Sequence, residues 1–453
     1  MNVEHSGETA ADVKTWHAGT LVYTAGGLAA LFCFLLIGDF VWSLKDRAIG
    51  TIALVLFKRH GASDFLNGLL IMSIPAALGV LVSPIVSCHS DRHRGRLGRR
   101  IPYLLVTTPV AVLGMAGMAF SVEIGGALAK LCGGALTENT AILISLGTFW
   151  MLFEFAMVIA AAVFNAFIND VVPHEMLGRF YGAFRIISLG AGILFLYWLL
   201  GWAETHAAML FLGIGAFYGI GMLLMCLRVR EGEYPPPPPP SPAGPLGGIM
   251  KYFRDCFGQK YYLLLFMAVM LCNLVFVPVN TYCIFYAQSL GISLKRYGEY
   301  MSYSFVGSFV LAWFLGVLAD RFHPLRGTIC TVGLYGLLSI AAFCSISGEM
   351  TFAAALIGQS VICGAYTTIS ASLLLRLLPQ DRFAQFNSAS GILNALANIV
   401  AVPFFGFLMD KSGSNYRLLF LFAAVLAAAA VTLALVFYRQ FVKHGGPAHY
   451  RAP

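Results

Sequence analysis

Long apolar runs separated by short polar breaks fill the chain. The runs fall at about 21–44, 65–87, 102–122, 141–168, 183–203, 207–227, 262–287, 299–319, 327–347, 351–378, 387–409 and 416–438. Each is close to the ~20 residues an α-helix needs to cross a hydrocarbon core of ~30 Å. No water reaches that core, so every backbone group must be satisfied within its own segment. The pattern therefore predicts an all-α membrane protein with twelve transmembrane helices. The first run is awkward. After Trp42 come Lys45, Asp46 and Arg47, then a second apolar stretch, AIGTIALVLF, before Lys58 and Arg59. The helix either ends near Leu44 or continues to about Phe57 with its charges facing a cavity. The longer form exceeds the hydrocarbon thickness and has to tilt or protrude.

Composition removes the soluble alternative. Hydrophobic residues make up 59% and charged residues 11%, with a mean hydropathy of +0.79; soluble domains carry about a quarter charged residues. Most of the 29 Lys and Arg lie on one side of the spans, including Arg94, Arg96, Arg99 and Arg100 after the second and Arg228, Arg230, Lys251, Arg254 and Lys260 after the sixth. The positive-inside rule then places both termini in the cytoplasm, with a bacterial inner membrane as the expected location. No basic cluster is interleaved with aromatics, so nucleic acid is not expected as a partner. The ten cysteines are scattered singly without CxxC spacing and read as small core hydrophobes. No metal or cofactor is expected. The polar start, MNVEHSGETAADVKTW, shows no cleavable signal peptide.

An internal repeat divides the chain. Asp91 and Arg92 in VSCHSDRHRGRLGRR are echoed by Asp320 and Arg321 in GVLADRFHPLRG, each pair after an apolar run and before further basic residues. VVPHEMLGRFYGAFRI (171–186) parallels LLPQDRFAQFNSASGI (377–392), with Pro, an acidic residue, Phe and Ile at matching offsets. Two six-helix bundles are expected, 1–227 and 261–453, joined by a cytoplasmic segment at 228–260. Six consecutive prolines in that segment can only be extended. They could dock a proline-binding domain; a semi-rigid spacer is the reading adopted. Paired bundles of this kind build transporters around a site near the bilayer midplane. Asp91, Arg92, Arg99, Arg100, Asp320 and Arg321 are then expected to form ion pairs that hold the cytoplasmic side closed.

These residues resemble the major facilitator superfamily, whose loop signature between spans two and three is G-x-x-x-D-R followed by basic residues. The second copy fits with Gly316, Asp320, Arg321 and Arg326; the first departs from it, with Ser87 in the glycine position. More narrowly, PIVSCHSDRHRGRLGRRIP resembles the matching stretch of plant sucrose–proton symporters and of the glycoside–pentoside–hexuronide symporters. That resemblance implies a sugar-binding aspartate at Asp39, in LLIGDFVW. It implies a coupling carboxylate at Glu154, sixteen residues before Asp170, and a substrate-contacting arginine at Arg185. The acidic pair that sodium-coupled members carry in span two is replaced by Gly79 and Ser83, so the implied coupling ion is H⁺.

Ionisable residues within spans are costly, and each is a functional candidate. Asp39 suits sugar hydroxyls because carboxylate oxygens accept charge-assisted hydrogen bonds. Trp42, on the same helix face, either stacks on a sugar ring or packs as an ordinary aromatic. Glu154 is mid-way along the fourth span, and a carboxyl group there favours its neutral form until a partner or open water admits the charge. Asn165 and Asn169 extend a polar stripe from it, for substrate or for helix–helix bonding. Arg185 forks across hydroxyls or snorkels to the interface. In the C-terminal half Asn273, Asn280 and Asn394 either recognise hydroxyls or bond helices, and Pro278 is positioned to break the seventh helix.

The function expected is proton-coupled symport of a sugar, an oligosaccharide or glycoside, by a monomer in the bilayer. The alternative is an exporter or lipid-type transporter of a less polar substrate. The chain has no HExxH, no GxSxG and no metal-spaced acid cluster, so no enzyme is expected.

Overall fold

The computed structural model describes residues 15–133, 135–234, 252–379, 382–450 and 452–453, and it is helical almost throughout. A short antiparallel hairpin, β1 (Trp16–Ala18) with β2 (Leu21–Tyr23), comes first. The helices of the first half are α1 (Ala25–Arg59), α2 (Asp64–Arg92), α3 (Ile101–Ala119), α4 (Ser121–Leu131), α5 (Glu138–Val171), α6 (His174–Glu204) and α7 (Ala207–Arg228). Those of the second half are α8 (Lys260–Ser289), α9 (Leu294–Phe322), α10 (Pro324–Ser345), α11 (Glu349–Leu377), α12 (Phe383–Lys411) and α13 (Leu418–Lys443). Eleven of these are long and apolar enough to cross a membrane. The remaining predicted span, 299–319, falls within α9, part of whose side chains lies outside the described residues.

Local chemistry sets the starts. Thr24, Ser63, Thr137 and Ser293 each accept a hydrogen bond from a first-turn N–H of α1, α2, α5 and α9, the usual work of an N-cap hydroxyl. α1 runs unbroken for 35 residues, about 53 Å. This settles the first span in favour of the longer form, with Lys45, Asp46 and Arg47 in mid-helix. The hairpin and α4 have no counterpart in the apolar pattern. α8 is interrupted at Val275 and Phe276, with Pro278 in the first turn of its second segment, so the break is where the proline predicts it. α2 and α6 each contain a π-helical turn, at Leu69–Ser73 and Phe195–Leu199.

Most helices of each half pack on others of that half, whereas α2 and α12 pack chiefly on each other. In the first, α3 lies against α5 and α7, and α1 against α6 and α7; in the second, α9 lies against α11, and α10 against α11 and α13. Two seams join the halves, α2 on α12 and α6 on α9. Large apolar side chains such as Leu113, Ile220, Leu337 and Val425 stay exposed on the helix faces, an arrangement that suits lipid and not water. Cys226, Cys256, Cys272 and Cys283 are buried, whereas Cys33, Cys88, Cys132, Cys330 and Cys344 are exposed. Reading all the cysteines as core residues is therefore corrected: in lipid, an outer face takes a small apolar residue as readily as the core does.

The proline run at 235–240 lies outside the described residues.

Candidate functional site

A cavity of about 520 Å³ opens between the halves, within the range of small-molecule sites. α1 contributes Arg47, Thr51 and Leu54, and α6 contributes Arg185, Leu189 and Leu196. The second half contributes Asn280, Thr281, Tyr297, Phe305, Ser360 and Thr367, among others. The lining mixes apolar walls with hydroxyl, amide and guanidinium groups. The guanidinium of Arg47 lies 5.4 Å from the ring of Phe305, so α1 reaches across to α9 here.

A second cavity of about 400 Å³ lies inside the first half, between α1, α2 and α5. Its charged lining is Lys45, Asp46 and Glu154. Lys45 is fully buried among aromatics, with its ammonium 4.3 Å from the Trp42 ring and 3.7 Å from a carboxylate oxygen of Asp46. Trp42 itself stacks on Phe164 at 4.7 Å. Trp150 lines the same space and donates its indole N–H to the Leu70 carbonyl at 2.8 Å, an oxygen within the π turn of α2.

The end of the molecule away from the chain termini is sealed by bonds that cross between the halves. Asp410, in the last turn of α12, accepts from the N–H of Asp64 at 2.8 Å and of Phe65 at 2.9 Å. A carboxylate of one half thus caps the positive end of helix α2 in the other. The mirror arrangement exists at the second seam: Glu204, at the end of α6, accepts from the N–H of Leu294, the first residue of α9, at 2.8 Å. Asp64 gathers further partners, with Lys58 at 2.5 Å and the Tyr416 hydroxyl at 2.8 Å on its carboxylate, and the Tyr282 hydroxyl at 3.2 Å on its carbonyl. Midway along the α2–α12 seam Ser73 donates to the Ile399 carbonyl at 2.8 Å.

Two glycines let the seams close this far. A Cβ on Gly406 would strike the backbone of Asp64 and Phe65, and one on Gly298 would strike the Leu196 carbonyl.

The sequence profile of the Major Facilitator Superfamily matches residues 264–451. Among solved structures the chain is similar to a bacterial homologue of the human lysosomal transporter Spinster, in its inward-facing, unoccupied conformation. The TM-score is 0.66 at 15% identity, covering 92% of this chain and 97% of that one. The chain has the major facilitator fold. A peptide transporter of the POT family follows the same course (TM-score 0.65, 14% identity, 93% and 95% coverage), as does a D-xylose–proton symporter (TM-score 0.63, 13% identity, 90% and 96% coverage). No curated protein sequence matches the chain.

On this major facilitator fold the predicted site residues separate into three groups. Arg185 and Asn280 line the cavity between the halves. Trp42 and Glu154 line the second cavity instead. Asp39 lines neither: it is fully buried, accepts from Ser43 at 3.3 Å, and its other carboxylate oxygen has no partner. Asn165 is exposed, and Asn169 accepts from the Tyr181 hydroxyl at 3.0 Å. Asn273 donates to Asn394 at 3.1 Å and accepts from Tyr366 at 2.8 Å, which is helix–helix bonding.

Among the described residues, the ion pairs of the signature at the termini end stay within the first half. Asp91 pairs with Arg100, and Arg99 meets Asp170 at 2.6 Å, all within the first half. Glu231, just after α7, accepts from the backbone N–H of Arg99, Arg100 and Ile101 at 2.7–2.9 Å and so caps α3. Tyr234 lies over the Arg99 guanidinium at 3.9 Å, and burial beside Glu231 raises its phenol pKa. Arg92 is exposed; the side chains of Asp320 and Arg321 lie outside the described residues. The contacts that cross between the halves, made by Asp64, Asp410 and Glu204, sit at the opposite end, at residues the sequence reading does not single out. Arg47 too had been noticed only as part of the charged break.

Proposed function

We propose that the chain is a secondary transporter that moves a sugar together with a proton by alternating access of two bundles, residues 1–227 and 261–453, linked by 228–260. The observation that carries this reading is the mid-membrane cavity lined by both halves and sealed at one end by bonds between them. With the termini in the cytoplasm, as the distribution of Lys and Arg favours, the sealed end is external and the conformation faces inward. Substrate enters or leaves past the termini end, and breaking the two carboxylate caps opens the other.

Glu154 is the proposed proton carrier. It shares its pocket with Lys45 and Asp46. The Lys45 ammonium already pairs with Asp46 at 3.7 Å, and α2 offers Gly79 and Ser83 where the resemblance would place an acidic pair for sodium. A proton requires only the one titratable group.

Uptake of labelled sugars into proteoliposomes, with an imposed pH or sodium gradient, tests this. A pH gradient is expected to drive accumulation and a sodium gradient to leave it unchanged; the reverse result overturns the proton assignment. Glu154→Gln keeps size and hydrogen bonding but cannot titrate. It is expected to abolish accumulation against a gradient while preserving exchange, and a variant that still concentrates sugar would move the role to Asp39.

A second reading is supported by the apolar walls of the cavity, Leu54, Leu189, Ile284, Phe305 and Leu356: an exporter or lipid-type carrier of a less polar substrate. Transport of an acyl-chain substrate with no sugar in the same assay would favour it.

A further inference from the structure

Charge in the cavity between the halves is one-sided. It contains two guanidinium groups, Arg47 from α1 and Arg185 from α6, and among the described residues no Asp or Glu lines it. A cation at mid-membrane is costly unless paired. The contacts of Arg47 are with the Phe305 ring and the cavity itself. The charged groups whose fields reach it are Asp46, which lines the other cavity beside Lys45, and Arg185, which repels it. Like charges thus share one space whose described lining offers them no carboxylate. By contrast, the cations of the termini end are met by Asp91 and Asp170, and Lys58 at the sealed end by Asp64.

We infer that the cargo carries an anionic group, a carboxylate, sulfate or phosphate, bound between Arg47 and Arg185. This rests on the proposed reading of the same cavity as the transport site. Two planar forks suit an oxyanion with several acceptor oxygens. Both arginines belong to the first half, whereas Asn280, Thr281, Ser360 and Thr367 face the cavity from the second. The anion is therefore anchored on one bundle and the neutral polar part of the cargo is read by the other, so that one molecule spans both. A sugar acid and a phosphate-bearing amphiphile share this chemistry.

Matched pairs separate the cases. Binding to the purified protein is measured for glucose against glucuronate, and for a monoacylglycerol against a lysophosphatidate. The charged member of at least one pair is expected to bind about tenfold or more tightly, the effect of one charge-assisted hydrogen bond. Arg47→Gln and Arg185→Gln should each collapse the ratio of charged to neutral binding, and Arg185→Lys should restore part of that ratio relative to Arg185→Gln. Equal binding within both pairs overturns the inference. Proton-driven glucose transport with no preference for glucuronate overturns it while the sugar reading stands. Binding of lysophosphatidate alone supports the anion site and sinks the sugar reading.

Discussion

The two ends of the molecule hold similar residues to opposite effect. At the end bearing the termini, Asp91 and Asp170 meet Arg99 and Arg100 within one half, and Glu231 of the joining segment caps the start of α3. At the far end, Asp410 and Glu204 each bind the first turn of a helix in the other half. Carboxylates paired within a bundle make that bundle a stiffer body. Carboxylates that cap a helix across the seam tie one half to the other. The duplicated Asp-Arg signature marks the first kind of network in the first half, and the crossing caps lie where no signature points.

Steric obstruction of a seam is the strongest way to break the contrast. Gly406→Leu drives a side chain into the Asp64–Phe65 backbone and is expected to reduce transport to background. Because Cys363 lines the central cavity, its labelling by a membrane-impermeant maleimide added from the far side, read by mass spectrometry, should rise. Unchanged labelling and normal transport would show that the seam does not need to close this tightly.

Removing the caps electrostatically is milder. Asp410→Asn with Glu204→Gln is expected to cost about 1 kcal/mol per cap, a roughly 30-fold shift toward the form open at the far end. Distances between spin labels on α2 and α12 near the far end report it; a distribution identical to wild type would remove these carboxylates from the gate.

Asp170→Asn acts at the other end. Its loss leaves Arg99 and Arg100 short of an acceptor, so thermal unfolding in detergent should drop by a few degrees, while the same spin-label distances stay put. A change in those distances would mean that the termini-end network also communicates between bundles.

The smallest effect concerns pH. His323, in the turn between α9 and α10, has its pKa lowered to about 4 by burial and by Arg376 and Arg326. The folded chain therefore holds it neutral, and its contribution to stability is complete above about pH 6.5 and lost as pH falls toward 4. His323→Asn should flatten the fall in melting temperature between pH 7 and 5; an unaltered slope would assign that fall to other groups. Asn is chosen because His323 has φ +68°, which Asn tolerates better than most residues.

Much of the architecture is legible in the apolar pattern, because lipid imposes a length and a composition on every span. The α8 break is legible through Pro278 and the continuity of α1 only as one of two options. The hairpin and α4 are not, since short elements at the ends of spans leave no periodic run. The crossing caps are hidden for another reason. Asp64 and Asp410 are 346 positions apart, and each by itself looks like a polar residue ending a span. An acid at the far end of a seam helix is the one signal that would have pointed to them. Asn273 and Asn394 show the converse: polar residues in spans invite a substrate reading, but these two satisfy each other.

One consequence of α1 remains. Lys45, Asp46 and Arg47 are consecutive, so their side chains leave the helix about 100° apart. Lys45 and Asp46 open onto the compartment of Glu154, and Arg47 onto the compartment between the halves. The helix thus presents charges toward both cavities, with Asp46 and Arg47 adjacent in the chain. An event that neutralises Arg47 changes the field felt by Asp46 at once, with no relay of moving parts. For the proposed cargo at Arg47 and proton at Glu154, that places both charges in one field across a single helix.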